Sequence, residues 1–135
     1  MEKQIVVYPV VIDTNLTDNY YDVYVPDLEI NTEGESIPNA IEMAREAIAL
    51  KCISNEDLKQ PTPEPTNNIE EIKHSSTEIV TFVDVNITDF KKMNDLKIIR
   101  KNVSIPAYLD YYAKKEKINV SALLTNALKR ELNLL

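Results

Sequence analysis

The chain has 135 residues, 44% of them hydrophobic and 27% charged, a balance that fits one ordinary globular domain or two small ones. No apolar run reaches the ~18 residues that mark a membrane helix, a single cysteine cannot form an internal disulfide, and a single glycine excludes a Gly-rich phosphate loop. The net charge of −7 is unevenly spread: residues 1–96 hold seven Lys/Arg against nineteen Asp/Glu, net −12, and residues 97–135 hold eight against three, net +5. A basic end suits nucleic acid, and an acidic body suits solvent or a basic protein.

In chain order, Ile5 to Ile12 is almost wholly apolar and predicts a strand buried on both faces. With no small-residue cleavage site beside it, it reads as a strand and not a signal peptide, so a cytoplasmic protein with no membrane association is expected. Asp13 to Asn19 is turn chemistry, and Tyr20 to Val25 predicts a second strand in a hairpin with the first. Leu28 to Glu33 allows a short third strand, with Gly34 at the turn after it. Ser36 caps a predicted helix over Ile37 to Ile53, whose apolar stripe is Ile37, Ile41, Ala44, Ile48 and Cys52, widened by Ala40 and Ala47. Residues 54–68 hold Pro61, Pro63 and Pro65 and predict a stiff, extended connector. One helical turn is expected at Ile69 to His74 and a fourth strand over Glu78 to Ile87; Thr88 is expected to cap a short helix over Asp89 to Met93.

The last stretch alternates from Ile99. Ile99, Lys101, Val103 and Ile105 lie on one side, and Arg100, Asn102 and Ser104 on the other, the period of a strand. Pro106 opens a helix carrying Tyr108, Leu109, Tyr112 and Ala113, and Ser121 is the expected N-cap of a second helix with Leu124, Ala127, Leu128 and Leu132 on its stripe. So small a strand–helix–helix module cannot bury enough surface alone, and a lone strand leaves both edges unpaired. Two copies pairing as an antiparallel ribbon answer both problems. Arg100, Asn102 and Ser104 would then reach base edges in a major groove, Ser121 would hold a phosphate-facing helix start, and the protein would be a homodimer.

RKNVSIP followed by two helices and NVSALLTNAL resembles a ribbon-helix-helix repressor domain, with Lys101 where that family prefers an apolar residue. More widely, YPVVID, YYDVYVPDLE, SIPNAIEMAREAI and IVTFVDVNITDF ahead of such an ending are similar to the HicB family of antitoxins. The departure is LEIN where many members have an LPGC-like turn. The resemblance implies an α+β protein: a partial RNase H-like β-β-β-α-β domain over residues 1–96 and a ribbon-helix-helix domain over 97–135. It also implies that the first domain binds a small basic toxin of the HicA type, an mRNA-cleaving endoribonuclease with a double-stranded-RNA-binding-type fold and a catalytic histidine. The second domain would dimerise and bind the operator of its own operon, with higher assembly on toxin binding. Asp22 and Asp27 are the candidate toxin contacts.

Other chemistry is weakly supported. Asp13, Asp22 and Asp27 would be the acids of a metal-dependent RNase H-type nuclease with a DNA-binding tail, but each is explained by a turn or a solvent-facing strand position. His74 reads as a surface histidine, Cys52 as core, and Tyr108, Tyr111 and Tyr112 as packing or surface residues. The reading is therefore a non-enzymatic antitoxin and autorepressor without metal or cofactor. The other classes are that nuclease and a ribbon-helix-helix regulator whose first domain senses a ligand.

Overall fold

The computed structural model describes residues 3–134. The chain divides between Leu96 and Lys97 into two compact units. The first holds β1 (Ile5–Asp13), β2 (Tyr21–Val25), β3 (Ile30–Gly34), α1 (Ile37–Asp57), β4 (Glu78–Asn86) and α2 (Ile87–Met93). The second holds α3 (Ala107–Lys115) and α4 (Val120–Glu131).

The four strands form one antiparallel sheet in the order β3-β2-β1-β4. The expected hairpin is there, with Val11 opposite Tyr24 and Ile12 opposite Val23. Period two assigns the faces. Val6, Tyr8, Val10 and Ile12 of β1 face the same way as Val83 and Val85 of β4 and Val23 and Val25 of β2. Most of these side chains join Ala40, Ala44, Ile48, Ala49 and Cys52 of α1 in one buried cluster, with Val6 packed at its edge. The α1 stripe is displaced from the expected one: Ala49 is fully buried with Ala40 and Ala44, and Ala47 is only partly buried. The helix also runs one turn past Ile53, because Asn55 stays buried and its side-chain amide donates to Thr62 Oγ1 at 3.3 Å. Ser36 is the N-cap, its hydroxyl accepting from the Asn39 N–H.

Strand β1 is buried on both faces only from Tyr8 to Ile12; Ile5 and Val7 are exposed. Proline inside this central strand has a simple explanation. Pro9 pairs with Phe82 of β4 across β1–β4, at a position whose missing N–H would point to the β2 side. There β2 has already ended at Val25, so no ladder bond is lost.

The third strand starts later than expected. Pro26–Leu28 forms a turn of 3-10 helix that buries Leu28, and Glu29 takes a left-handed conformation (φ 53°) to enter β3. Gly34 is the last residue of β3, and its φ is not positive. Glycine is required there by close approach: a Cβ would sit 2.4 Å from the Ala40 backbone nitrogen. Thr88 does not cap α2. Asn86 does, its side chain accepting from the Asp89 N–H at 3.0 Å, and the Thr88 hydroxyl instead accepts from the Gln4 N–H at 2.9 Å.

In the second unit the stretch Ile98 to Ile105 carries no β-ladder, and α3 and α4 contain no buried residue. Pro106 occupies the N-cap position of α3. The N-cap of α4 is Asn119, whose side chain accepts from the Ala122 N–H at 3.0 Å; Ser121 lies inside the first turn, and its carbonyl accepts from Thr125 Oγ1 at 2.9 Å.

Candidate functional site

The face of the sheet turned away from α1 is the first candidate surface. On it the register sets Asp13 opposite Glu78 and Asp22 opposite Glu33. One step from the Ile12–Val23 pair, Asp13 and Asp22 are neighbours on β1 and β2. One carboxylate from each of the four strands therefore forms a row across one end of the sheet. The next row holds Asn31, Tyr24, Val11 and Val80, and a shallow depression of about 330 Å³ is lined by Val11, Asp13, Asp22, Tyr24, Asn31 and Glu78 among others. Asp22 is exposed in this row. Glu33 and Glu78 were not singled out from the sequence, since only the pairing register brings them beside Asp13 and Asp22.

Asp27 is not part of that row. Its two carboxylate oxygens accept from the Thr66 N–H and from Thr66 Oγ1, both at 2.7 Å. Tyr8, only 2% exposed, donates from its hydroxyl to the Pro63 carbonyl at 2.6 Å. The proline-containing connector is thus a strap held by Tyr8, Asn55 and Asp27. Burial, with smaller contributions from Cys52, Asp27 and Glu64, pushes the Tyr8 hydroxyl up to about 12. Burial also raises the Cys52 thiol, so it stays protonated and inert within the core.

In the second unit, Arg100 and Asn102 line one groove with Asn119, Ser121 and Thr125, about 730 Å³ in volume. The structure thus brings three of the four predicted base- and phosphate-facing residues together; Ser104 is exposed outside the groove lining. Asn119, missed as a cap because Ser121 has the same chemistry two residues later, stands at the mouth of the helix start. Among the described residues no group of three Asp, Glu, His or Cys side chains is placed to hold a metal ion. His74 is exposed, with Nδ1 3.1 Å from the Ile72 carbonyl.

The sequence profile of the HicB-like antitoxin of bacterial toxin-antitoxin systems matches residues 8–128, nearly the whole chain. The protein belongs to the HicB-like antitoxin family. No curated protein matches the sequence. Among solved structures, a chain of a toxin-antitoxin complex from Streptococcus pneumoniae is similar at 22% identity and a TM-score of 0.58, covering 95% of this chain and 99% of that one. The antitoxin HicB from Burkholderia pseudomallei is similar at 26% identity and a TM-score of 0.51, over 95% and 97% of the two chains. A chain of the HicA3 and HicB3 toxin-antitoxin complex, at 22% identity and a TM-score of 0.50, covers 59% of this chain and 98% of its own. The mixed α and β architecture of this HicB-like chain is thus shared along nearly its full length. Among its described residues no helix is long and apolar enough to cross a membrane.

Proposed function

We propose that this HicB-like antitoxin neutralises a small basic HicA-type toxin through its first unit and represses its own operon by binding operator DNA, as a dimer, through its second. The observation that carries the reading is the division of charge along the division of structure: the unit with the four-stranded sheet and its own core holds net −12, and the unit that buries nothing of its own holds net +5. Family membership supports the antitoxin role. The extended stretch from Ile98 to Ile105 supports the ribbon, because a strand-forming sequence with no ladder in its own chain is what pairing with a second copy requires. In that ribbon-helix-helix arrangement Arg100, Asn102 and Ser104 are the base readers, while Asn119 and Ser121 form the phosphate-facing start of α4. In the first unit Asp22, within the four-carboxylate row, is the toxin contact of choice. Asp27 holds the strap at Thr66, away from that row, and a partial RNase H-like sheet is the scaffold for both.

The reading is tested by co-expressing the chain with the product of the neighbouring short reading frame for a basic protein. The expected result is co-purification, relief of growth arrest, and a gel shift of the operon's own promoter DNA that scrambled DNA does not give at the same salt. A neighbouring product that neither binds nor harms the cell would remove the toxin half of the proposal; promoter DNA bound no better than scrambled DNA would remove the repressor half.

A further inference from the structure

We propose that the open edge of β4 is a strand-addition site, at which the basic toxin adds a fifth strand to the sheet. The proposal rests on the toxin reading above and gives it a place and a geometry.

The two edges of the sheet differ. Strand β3 is five residues long and ends at Gly34 against the Ala40 backbone. Strand β4 is nine residues long and pairs with β1 in register along all nine; its other side is the end of the sheet. The hydrogen bonds just past the two ends of the ladder fix which backbone groups point where. The Thr14 N–H donates to the Thr77 carbonyl at 2.9 Å, and the Ile87 N–H donates to the Gln4 carbonyl at 2.8 Å. Stepping by two between these points makes the odd-numbered residues of β4 the ones bonded to β1. The even-numbered residues Glu78, Val80, Phe82 and Asp84 turn their N–H and C=O groups outward.

Among the described residues little occupies that outward row. The Glu78 N–H donates to the Ser75 carbonyl at 3.2 Å, the Asp84 carbonyl accepts from Arg45 Nε at 3.0 Å, and the Phe82 carbonyl has only the Thr81 hydroxyl at 3.4 Å. Natural edges of this length are ordinarily blunted by lysine, proline or a bulge; EIVTFVDVN holds none of these. Phe82 on one face and Ile79 on the other are 43% and 44% exposed, so an arriving strand finds an apolar contact on each side as well as free backbone groups.

Charge selects the occupant. Glu78 and Asp84 flank the open segment, Asp13 lies opposite Glu78, and the unit carries net −12. A second copy brings another unit of net −12 against the first, and in the antiparallel register about Thr81 it also sets Glu78 opposite Asp84 twice, like charges that destabilise a strand pair. A strand with Lys or Arg beside Glu78 is drawn to that acid and to Asp13 opposite it, whereas Asp84 is already paired with Arg45. Arg45, bound to Asp84 Oδ1 at 3.1 Å, closes one end of the segment, and the Glu78 N–H on the Ser75 carbonyl closes the other, so the new ladder runs from the Glu78 carbonyl to Phe82.

The test is residue-resolved amide exchange on the full chain, alone and co-purified with the product of the neighbouring basic reading frame. In the free chain Val80 and Phe82 should exchange at least tenfold faster than Ile79, Thr81 and Val83, and in the complex they should slow by tenfold or more. Val80→Pro removes an outward N–H and no bond to β1, and should weaken the complex at least tenfold, with Val80→Ala within about threefold of wild type as the control for the lost side chain. If the complex forms with the even-numbered amides still fast, the toxin binds elsewhere: the edge proposal falls and the toxin reading stands. If those amides are already protected in the free chain, and more so at higher concentration, a second copy holds the edge and the proposal is overturned. If no complex forms, the toxin reading falls and takes the edge proposal with it.

Discussion

Tyr8 joins the core to the strap with one hydroxyl. The ring is buried beside Cys52, and the hydroxyl donates to Pro63. Because its titration is raised from 10 to about 12 in the folded chain, the native state holds the proton more tightly than the unfolded state does. This contribution to stability is fully present below pH 10 and is lost as the pH rises through about 12. Tyr8→Phe should therefore lower stability by about 0.5–1.5 kcal/mol at neutral pH and flatten the fall between pH 10 and 12; urea titrations at several pH values read both. At the other unit, Asn102→Ala should cost operator binding about 1–3 kcal/mol and relax sequence preference at one base while leaving the dimer intact. Gel shifts on operator and scrambled DNA at fixed salt check this. Equal operator affinity for Asn102→Ala, Arg100→Ala and wild type would show that this polar set does not read bases.

Among the elements, β3 and α1 meet at a close corner. Gly34 admits the start of α1 so closely that any side chain would meet the backbone of Ala40. Gly34→Ala should then destabilise the first unit by about 1–3 kcal/mol, the usual cost of overfilling a packed site, measured as a lowered Tm with no change in DNA binding by the second unit. The helix start of α4 shows a similar dependence on one local group. Asn119 satisfies an N–H that would otherwise be orphaned, and it lines the same groove as Arg100 and Asn102.

For the whole molecule, the two units differ in how they are held together. The first has one core running from Val6 to Phe90 and is expected to fold by itself. The second exposes Ile99, Val103, Ile105, Leu109, Tyr112, Leu123 and Leu128, more apolar surface than a small unit leaves to water unless another surface covers it. A chain ending at Lys97 is therefore expected to be monomeric and folded by light scattering and circular dichroism, and the full chain is expected to be a dimer. A truncated chain that remained a dimer would place the contact in the first unit. The charge of the first unit predicts that added salt slows toxin association more than it speeds dissociation.

The sequence by itself determined the strands and helices of the first unit apart from the 3-10 turn at Pro26–Leu28, the Ser36 cap, the buried Cys52 and the place of the charge division, because each depends on neighbours in the chain: helical and strand periods, capping hydroxyls and local composition; the strand expected over Ile98 to Ile105 has no ladder within the chain. The C-terminal helix pair was legible for the same reason. Caps were harder to place where two competent residues stood close together, and Ser121 and Thr88 yielded to Asn119 and Asn86, whose side chains accept from the Ala122 and Asp89 N–H groups. The reason for Gly34 lay outside its own neighbourhood, in the approach of α1. Asp27 read as an exposed acid until the strap came back to it from a distant point in the chain with Thr66. The four-carboxylate row and the open edge of β4 were decided by tertiary structure alone, since strand order and register place residues from distant stretches side by side, and no period within one strand carries that information.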